Sequence, residues 1–146
     1  MEPEVRIATS DDAIRRCFAV MHELRPALAD AEDFLARVHR QRDSVGWTLA
    51  FVEDAGIPVA CAGFRVMESL SWGRALYIDD LVCLESHRGK GFAKALMRWI
   101  EQHARAQGCG QLHLDSGTQR LRAHHFYYRQ GLSITAFHFV KPLGGG

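Results

Sequence analysis

Hydrophobic and polar positions change period along the chain, and each change predicts an element. Residues 5–8 (VRIA) read as a short strand. Ser10 follows with Asp11 and Asp12 behind it, a helix cap with acids in the first turn. Ile14, Cys17, Phe18 and Met21 then repeat at helical spacing until Pro26 ends the helix. Asp30 caps a second helix with Phe34, Leu35 and Val38 on its apolar face, closed by Gly46. Residues 47–53 and 57–67 are rich in strand formers and are joined by Asp54-Ala55-Gly56, which predicts a hairpin. After a turn at Ser71-Trp72-Gly73, residues 76–84 form a third strand, apolar except for Asp79 and Asp80. An antiparallel meander is the economical arrangement.

Past Gly91 the period becomes helical again. Ala93, Leu96, Met97, Ile100 and Ala104 share one face, and Glu101 and Arg105 stand at a favourable i, i+4 spacing on the other. Gly108 and Gly110 stop this helix. Residues 111–115 predict a strand, 122–130 a short helix stopped by Gly131, and 133–140 (SITAFHFV) an alternating final strand; 144–146 is a flexible glycine tail. The expected order is β-α-α-β-β-β-α-β-α-β in a single domain, residues 1–146, with a mixed, mostly antiparallel sheet of the α+β kind.

Composition narrows the function classes. The chain has 146 residues, 47% hydrophobic and 24% charged, the mix of a soluble globular domain. A net charge of +1 argues against a dedicated nucleic-acid binder. The charge is uneven: residues 1–73 hold 8 basic and 12 acidic residues, residues 74–146 hold 10 and 5, so an anionic ligand prefers the second half. No apolar run reaches the length of a membrane span, and the first ten residues lack the pattern of a signal peptide. Cys17, Cys61, Cys83 and Cys109 form no CxxC pair, as expected of reduced thiols in a cytoplasmic protein. The eight histidines show no HExxH or CxxC…H spacing, so no metal site is expected.

The chemistry concentrates in residues 82–93, VCLESHRGKGFA. A strand runs into a loop of Arg88, Gly89, Lys90 and Gly91, and a helix begins at once with Phe92 and Ala93. Glycines permit close backbone approach, the free amides of a helix start point at a ligand, and the helix dipole favours an anion. This reads as a pyrophosphate cradle, with a glycine-rich turn before an ordinary helix as the alternative. It is neither a Walker loop nor a dinucleotide fingerprint, since GxxxxGK[ST] and GxGxxG are both absent. Arg88-Gly-Lys-Gly91-Phe-Ala93 resembles the R/Q-x-x-G-x-G/A signature of the GNAT superfamily of acyl-CoA-dependent N-acetyltransferases. Ala123-His-His-Phe126-Tyr127-Tyr-Arg-Gln-Gly131-Leu is similar to that family's A-x-x-F-Y-x-x-x-G-F helix, and the element order matches across nearly the whole chain.

The resemblance implies acetyl-CoA as co-substrate, with Arg88 to Ala93 on the pyrophosphate and Leu81, Val82 and Cys83 pairing backbone with the pantetheine arm. It places Tyr127 where a tyrosine often protonates the departing thiolate. An ordinary tyrosine has a pKa of about 10 and a thiol about 8.5, so that transfer costs little; core packing is the competing role. An acceptor amine must first lose a proton, which costs about 4–5 kcal/mol at pH 7. Asp79 and Asp80 are candidates for that base or for a structural role, with Asp79 slightly preferred; neighbours on a strand face opposite sides, so one of them faces the site. Gly117 stands where many family members have an asparagine contacting the cofactor, leaving Ser116 or Thr118 to replace it. Leu132 replaces the usual phenylalanine.

In that fold the connection between the first helices, here Glu23 to Pro26, and the region around 134–138 line the acceptor pocket. Arg25 is expected to be solvated there, with a grip on an anionic acceptor as the alternative. Residues 114–143 also resemble the small aminoalkylphosphonate acetyltransferases, which suggests a small amine with an anionic group. The reading is an N-acetyltransferase for a small primary amine, acting by direct attack in a ternary complex. A protein or peptide amine acetyltransferase, a non-catalytic acyl-CoA sensor and a general nucleotide binder are the alternatives. The chain carries no oligomer signal of its own; dimers are frequent among similar proteins, so a homodimer stays open.

Overall fold

The computed structural model describes residues 2–145; Met1, and Gly146 of the expected glycine tail, lie outside the described residues. The chain divides into two compact units, Met1–Leu114 and Asp115–Gly146.

The first unit holds a five-stranded sheet in the order β1 (Val5–Ile7), β2 (Thr48–Asp54), β3 (Ile57–Ser69), β4 (Gly73–Cys83), β5 (Gln111–Leu114). All neighbours are antiparallel except β4 and β5. The β2–β3 turn has positive φ at Ala55 (52°) and Gly56 (79°), the twist that suits a tight hairpin. The helices α1 (Asp11–Arg16), α2 (Phe18–Leu24) and α3 (Ala31–Val45) join β1 to β2, and α4 (Phe92–Ala106) joins β4 to β5. Ser10 Oγ accepts from the Ala13 amide at 3.1 Å, and Asp30 Oδ1 from the Asp33 amide at 2.8 Å, so both expected caps form.

The two sheet faces are covered by different helices. Ile14, Cys17, Val20, Met21, Phe34, Leu35 and Val38 pack with Trp47, Leu49, Phe51, Cys61 and Val82 in one core. Phe64 meets Trp99 and His103 of α4 on the other face. Alternation along β2 and β3 accounts for this split.

Two expectations are corrected. The single helix expected from Ser10 to Pro26 breaks at Cys17, where a tight turn (Cys17 N–H to Ile14 O, 3.0 Å) separates α1 from α2. The break lets Ile14, Cys17, Val20 and Met21 all reach the core. In the second unit α5 (Leu121–Arg129) forms as expected, ending before Gly131 (φ 88°), but residues 133–140 make no strand. Alternation alone does not make a strand: the ladder needs a partner. Among the described residues none pairs with this segment, and Ile134, Phe137, Phe139 and Val140 are exposed.

Candidate functional site

The site in the first unit is organised by one irregularity in β4. Gly63 pairs with Asp80 and Phe64 with Ile78, which leaves Asp79 as an extra residue, a β-bulge. Without it, Leu76, Ile78, Asp80 and Val82 would share a face. With it, the strand turns over. Ile78 pairs with Phe64 and so faces α4, while Val82, paired with Cys61, faces α1 to α3. Asp80 is thereby turned to the α2–α3 side.

There it joins the wall of a cavity of about 420 Å³ with Leu24, Arg25, Phe34, Arg37 and Trp47. Arg25 closes over it: Nε donates to Asp80 Oδ1 at 2.9 Å and Nη2 to the Asp79 carbonyl at 3.0 Å. The Arg25 side chain is 51% exposed and that of Asp80 16%, so Arg25 is an ion-pair partner rather than the solvated residue expected. Burial raises the Asp80 carboxyl above its ordinary range; Arg25 opposes this and Asp79 adds to it. The nearby Trp47 indole also favours the ionised form, yet its buried Nε1 makes no hydrogen bond of ordinary geometry. Asp79 is held differently: Arg65 Nε reaches its Oδ2 at 3.1 Å and Nη2 its Oδ1 at 3.4 Å, with the guanidinium 5.1 Å over the Tyr77 ring.

Gly63 makes room for Trp47, one wall of the cavity. A Cβ there would stand 1.8 Å from Trp47 Cζ2, so the indole lies flat where a side chain would otherwise be. Neither Gly63 nor Trp47 belongs to a local motif. A tryptophan opening a strand and a lone glycine inside one were their only traces in the sequence.

The second part of the site is backbone. The β4–β5 pairing stops at Ile78, so Leu81, Val82 and Cys83 are paired through β3 but continue past the last β5 partner. A short turn, Glu85–His87, leads to the exposed loop Arg88 to Gly91. Gly89 (φ 79°) and Gly91 (φ 90°) adopt left-handed backbone, and a Cβ on either would meet nothing within 4 Å. Gly91 caps α4 without a side-chain hydrogen bond. The amides opening α4 at Phe92 and Ala93 thus have no carbonyl one turn behind them, and Arg88 and Lys90 add positive charge.

Burial raises the pKa of Cys17 to about 12 and those of Cys61 and Cys83 above their ordinary values, so none is poised as a thiolate nucleophile. In the second unit, Tyr127 is half-buried, and burial raises its pKa against the pull of Arg120. Gly117 is built into a turn: its carbonyl accepts from the Arg120 amide at 3.0 Å and contacts His124 Nε2 at 2.8 Å. Beside it the buried Ser116 hydroxyl has no partner among the described residues. His138 pairs with Asp115 at 2.9 Å on the surface.

Residues 11–132 match the Acetyltransferase (GNAT) family. The chain belongs to this family. It is an N-acetyltransferase, and acetyl-CoA is its acetyl donor. The chain is 34% identical over 137 residues to the uncharacterized N-acetyltransferase YhdJ of Bacillus subtilis, covering 92% of this chain and 95% of that one. It is 36% identical over 66 residues to the aminoalkylphosphonate N-acetyltransferase of Salmonella typhimurium, covering 45% of this chain and 43% of that one. Its fold resembles that of the aminoglycoside N-acetyltransferase AAC(6')-Iy in complex with CoA, with a TM-score of 0.80, 13% identity, and 99% of this chain and 98% of that one covered. The loop and strand fit the donor: glycine amides and a bare helix start suit a pyrophosphate, and a strand extending past its neighbour suits an amide-bearing arm. No helix among the described residues is long and apolar enough to cross a membrane.

Proposed function

We propose that the chain is a single-domain cytoplasmic enzyme, residues 1–146, that acetylates the primary amine of a small molecule by direct attack in a ternary complex. The observation that carries this reading is the Asp80 cavity. Its wall combines apolar side chains with one carboxylate of raised proton affinity, and its volume suits a small ligand rather than a protein surface.

Arg88 to Ala93 hold the pyrophosphate of acetyl-CoA, and Leu81, Val82 and Cys83 hold its pantetheine arm. The acceptor enters as an ammonium and gives a proton to Asp80. The freed nitrogen attacks the thioester carbonyl; the C–N bond forms, the C–S bond breaks and Tyr127 gives its proton to the departing sulfur. Asp79, fixed by Arg65, holds the bulge rather than moving protons, which reverses the order of preference read from the sequence. The reading needs only one chain and does not depend on a homodimer.

The test is acetyl-CoA-dependent thiol release with amino acids, aminoalkylphosphonates, polyamines and lysyl peptides as acceptors, for wild type and Tyr127→Phe. Release with one small-amine class, falling about a hundredfold in Tyr127→Phe with acetyl-CoA binding kept, is expected. Release with lysyl peptides alone transfers the activity to protein substrates. Binding of acetyl-CoA without turnover of any acceptor replaces the enzyme by a sensor.

A further inference from the structure

The Asp80 cavity contains more charge than amine chemistry alone requires. Its wall holds Asp80, Arg25 and Arg37, two positive groups against one negative. Asp33 takes the Nε of Arg37 at 3.0 Å. Arg25 sits on the carboxylate that the incoming ammonium needs. An ammonium with no other charge must share that carboxylate with a guanidinium already bound to its Oδ1, two like charges at close range. An acceptor that also carries an acidic group removes the conflict: its ammonium takes Asp80 and its acid takes Arg25.

Resting on the small-amine reading above, we infer that the acceptor is a small amine bearing its own acidic group, a carboxylate or a phosphonate, on an apolar body, and that Arg25 is the residue that selects it by exchanging Asp80 for that acid.

Three observations carry the exchange. Arg25 follows α2 directly and precedes Pro26, and its side chain is half-exposed, so the guanidinium can swing without unpacking the core. Its two bonds, to a side chain and to the Asp79 carbonyl, are a resting place that a bidentate acid replaces with equivalent geometry. The rest of the wall is apolar, with Leu24, Leu28, Phe34 and Trp47, which fits a hydrocarbon body between the two charged ends. The exchange also serves the chemistry. Arg25, with Trp47, lowers the Asp80 proton affinity, so an acid that draws Arg25 away strengthens the base when the substrate is in place.

Matched acceptors test this: leucine, its phosphonate analogue and 3-methylbutylamine, which share one hydrocarbon body, assayed with wild type, Arg25→Gln and Arg25→Lys. Wild type is expected to favour at least one acidic acceptor over the neutral amine by tenfold or more in kcat/KM. The carboxylate and phosphonate arms show which acid is read. In Arg25→Gln the preference should fall to within about threefold of unity through a raised acceptor KM, and Arg25→Lys should keep part of it. Equal or better use of the neutral amine by wild type, or a preference unchanged in Arg25→Gln, overturns the inference and leaves the small-amine reading standing. If no small amine is acetylated and only lysyl peptides are, both fall. The wild-type comparison decides the matter even where Arg25→Gln folds poorly.

Discussion

Strand β4 carries Asp80 into the cavity and leads on to the loop at residues 88–93, yet cavity and loop are made of different material. The loop is backbone: two glycines with φ near 80–90° and the bare start of α4. The cavity is side chain: Arg25 after α2, Phe34 and Arg37 on α3, Trp47 before β2, and Asp80 on β4. A site made of backbone is specified by a few consecutive residues and works for any chain that presents the same phosphate-bearing ligand. A site made of side chains is gathered from distant elements and can be changed one residue at a time. The first suits a common donor and the second an acceptor peculiar to this enzyme.

Substitutions in the two regions should separate cleanly. The largest effect is expected from Asp80→Asn: loss of the base lowers kcat by about a hundredfold or more, with acetyl-CoA affinity within about threefold of wild type by titration. Next comes Gly91→Ala. A side chain at φ 90° is strained by about 1–2 kcal/mol, so the acetyl-CoA KM should rise about tenfold while the ranking of acceptors stays as it was. An altered acceptor ranking in Gly91→Ala would mean that the two regions are not independent. Gly63→Ala has a smaller effect on turnover and acts on the cavity alone. The new Cβ must displace the Trp47 ring, which should cost about 1–3 kcal/mol of stability in a denaturant titration and raise the acceptor KM without changing that of acetyl-CoA.

The smallest expected effect is on stability against pH. Folding raises the Asp80 pKa, so between the ordinary carboxylate pKa and the raised one the folded chain binds a proton that the unfolded chain has lost. That contribution is fully present below the ordinary value and is lost as pH rises through the raised one. The Tm difference between Asp80→Asn and wild type, read from thermal melts across the range, should therefore shift in favour of the asparagine variant as pH rises from about 4 towards neutrality.

How far the sequence can be read follows the same division. The loop was legible because Arg88 to Ala93 are contiguous, and the caps at Ser10 and Asp30 because capping is local. The bulge at Asp79 was not, since it is defined by pairing with Gly63 and Phe64 and nothing in LYIDDLVCL says which residue is extra. That missing fact is why the sequence leaned to Asp79. Arg25 was misjudged for the same reason: its partner Asp80 is 55 residues away. The final strand failed in the opposite sense, because SITAFHFV carries a local pattern while a strand depends on a neighbour.

Asp80 is the group that takes the acceptor's proton in this mechanism, and the most direct test is the pH dependence of kcat with saturating acetyl-CoA and acceptor for wild type, Asp80→Asn and Asp79→Asn. Wild type and Asp79→Asn should share an acidic limb, with kcat rising through the elevated carboxyl pKa to a plateau, and Asp80→Asn should lose both the limb and most of the rate. A limb that survives in Asp80→Asn, or disappears in Asp79→Asn instead, would contradict the assignment.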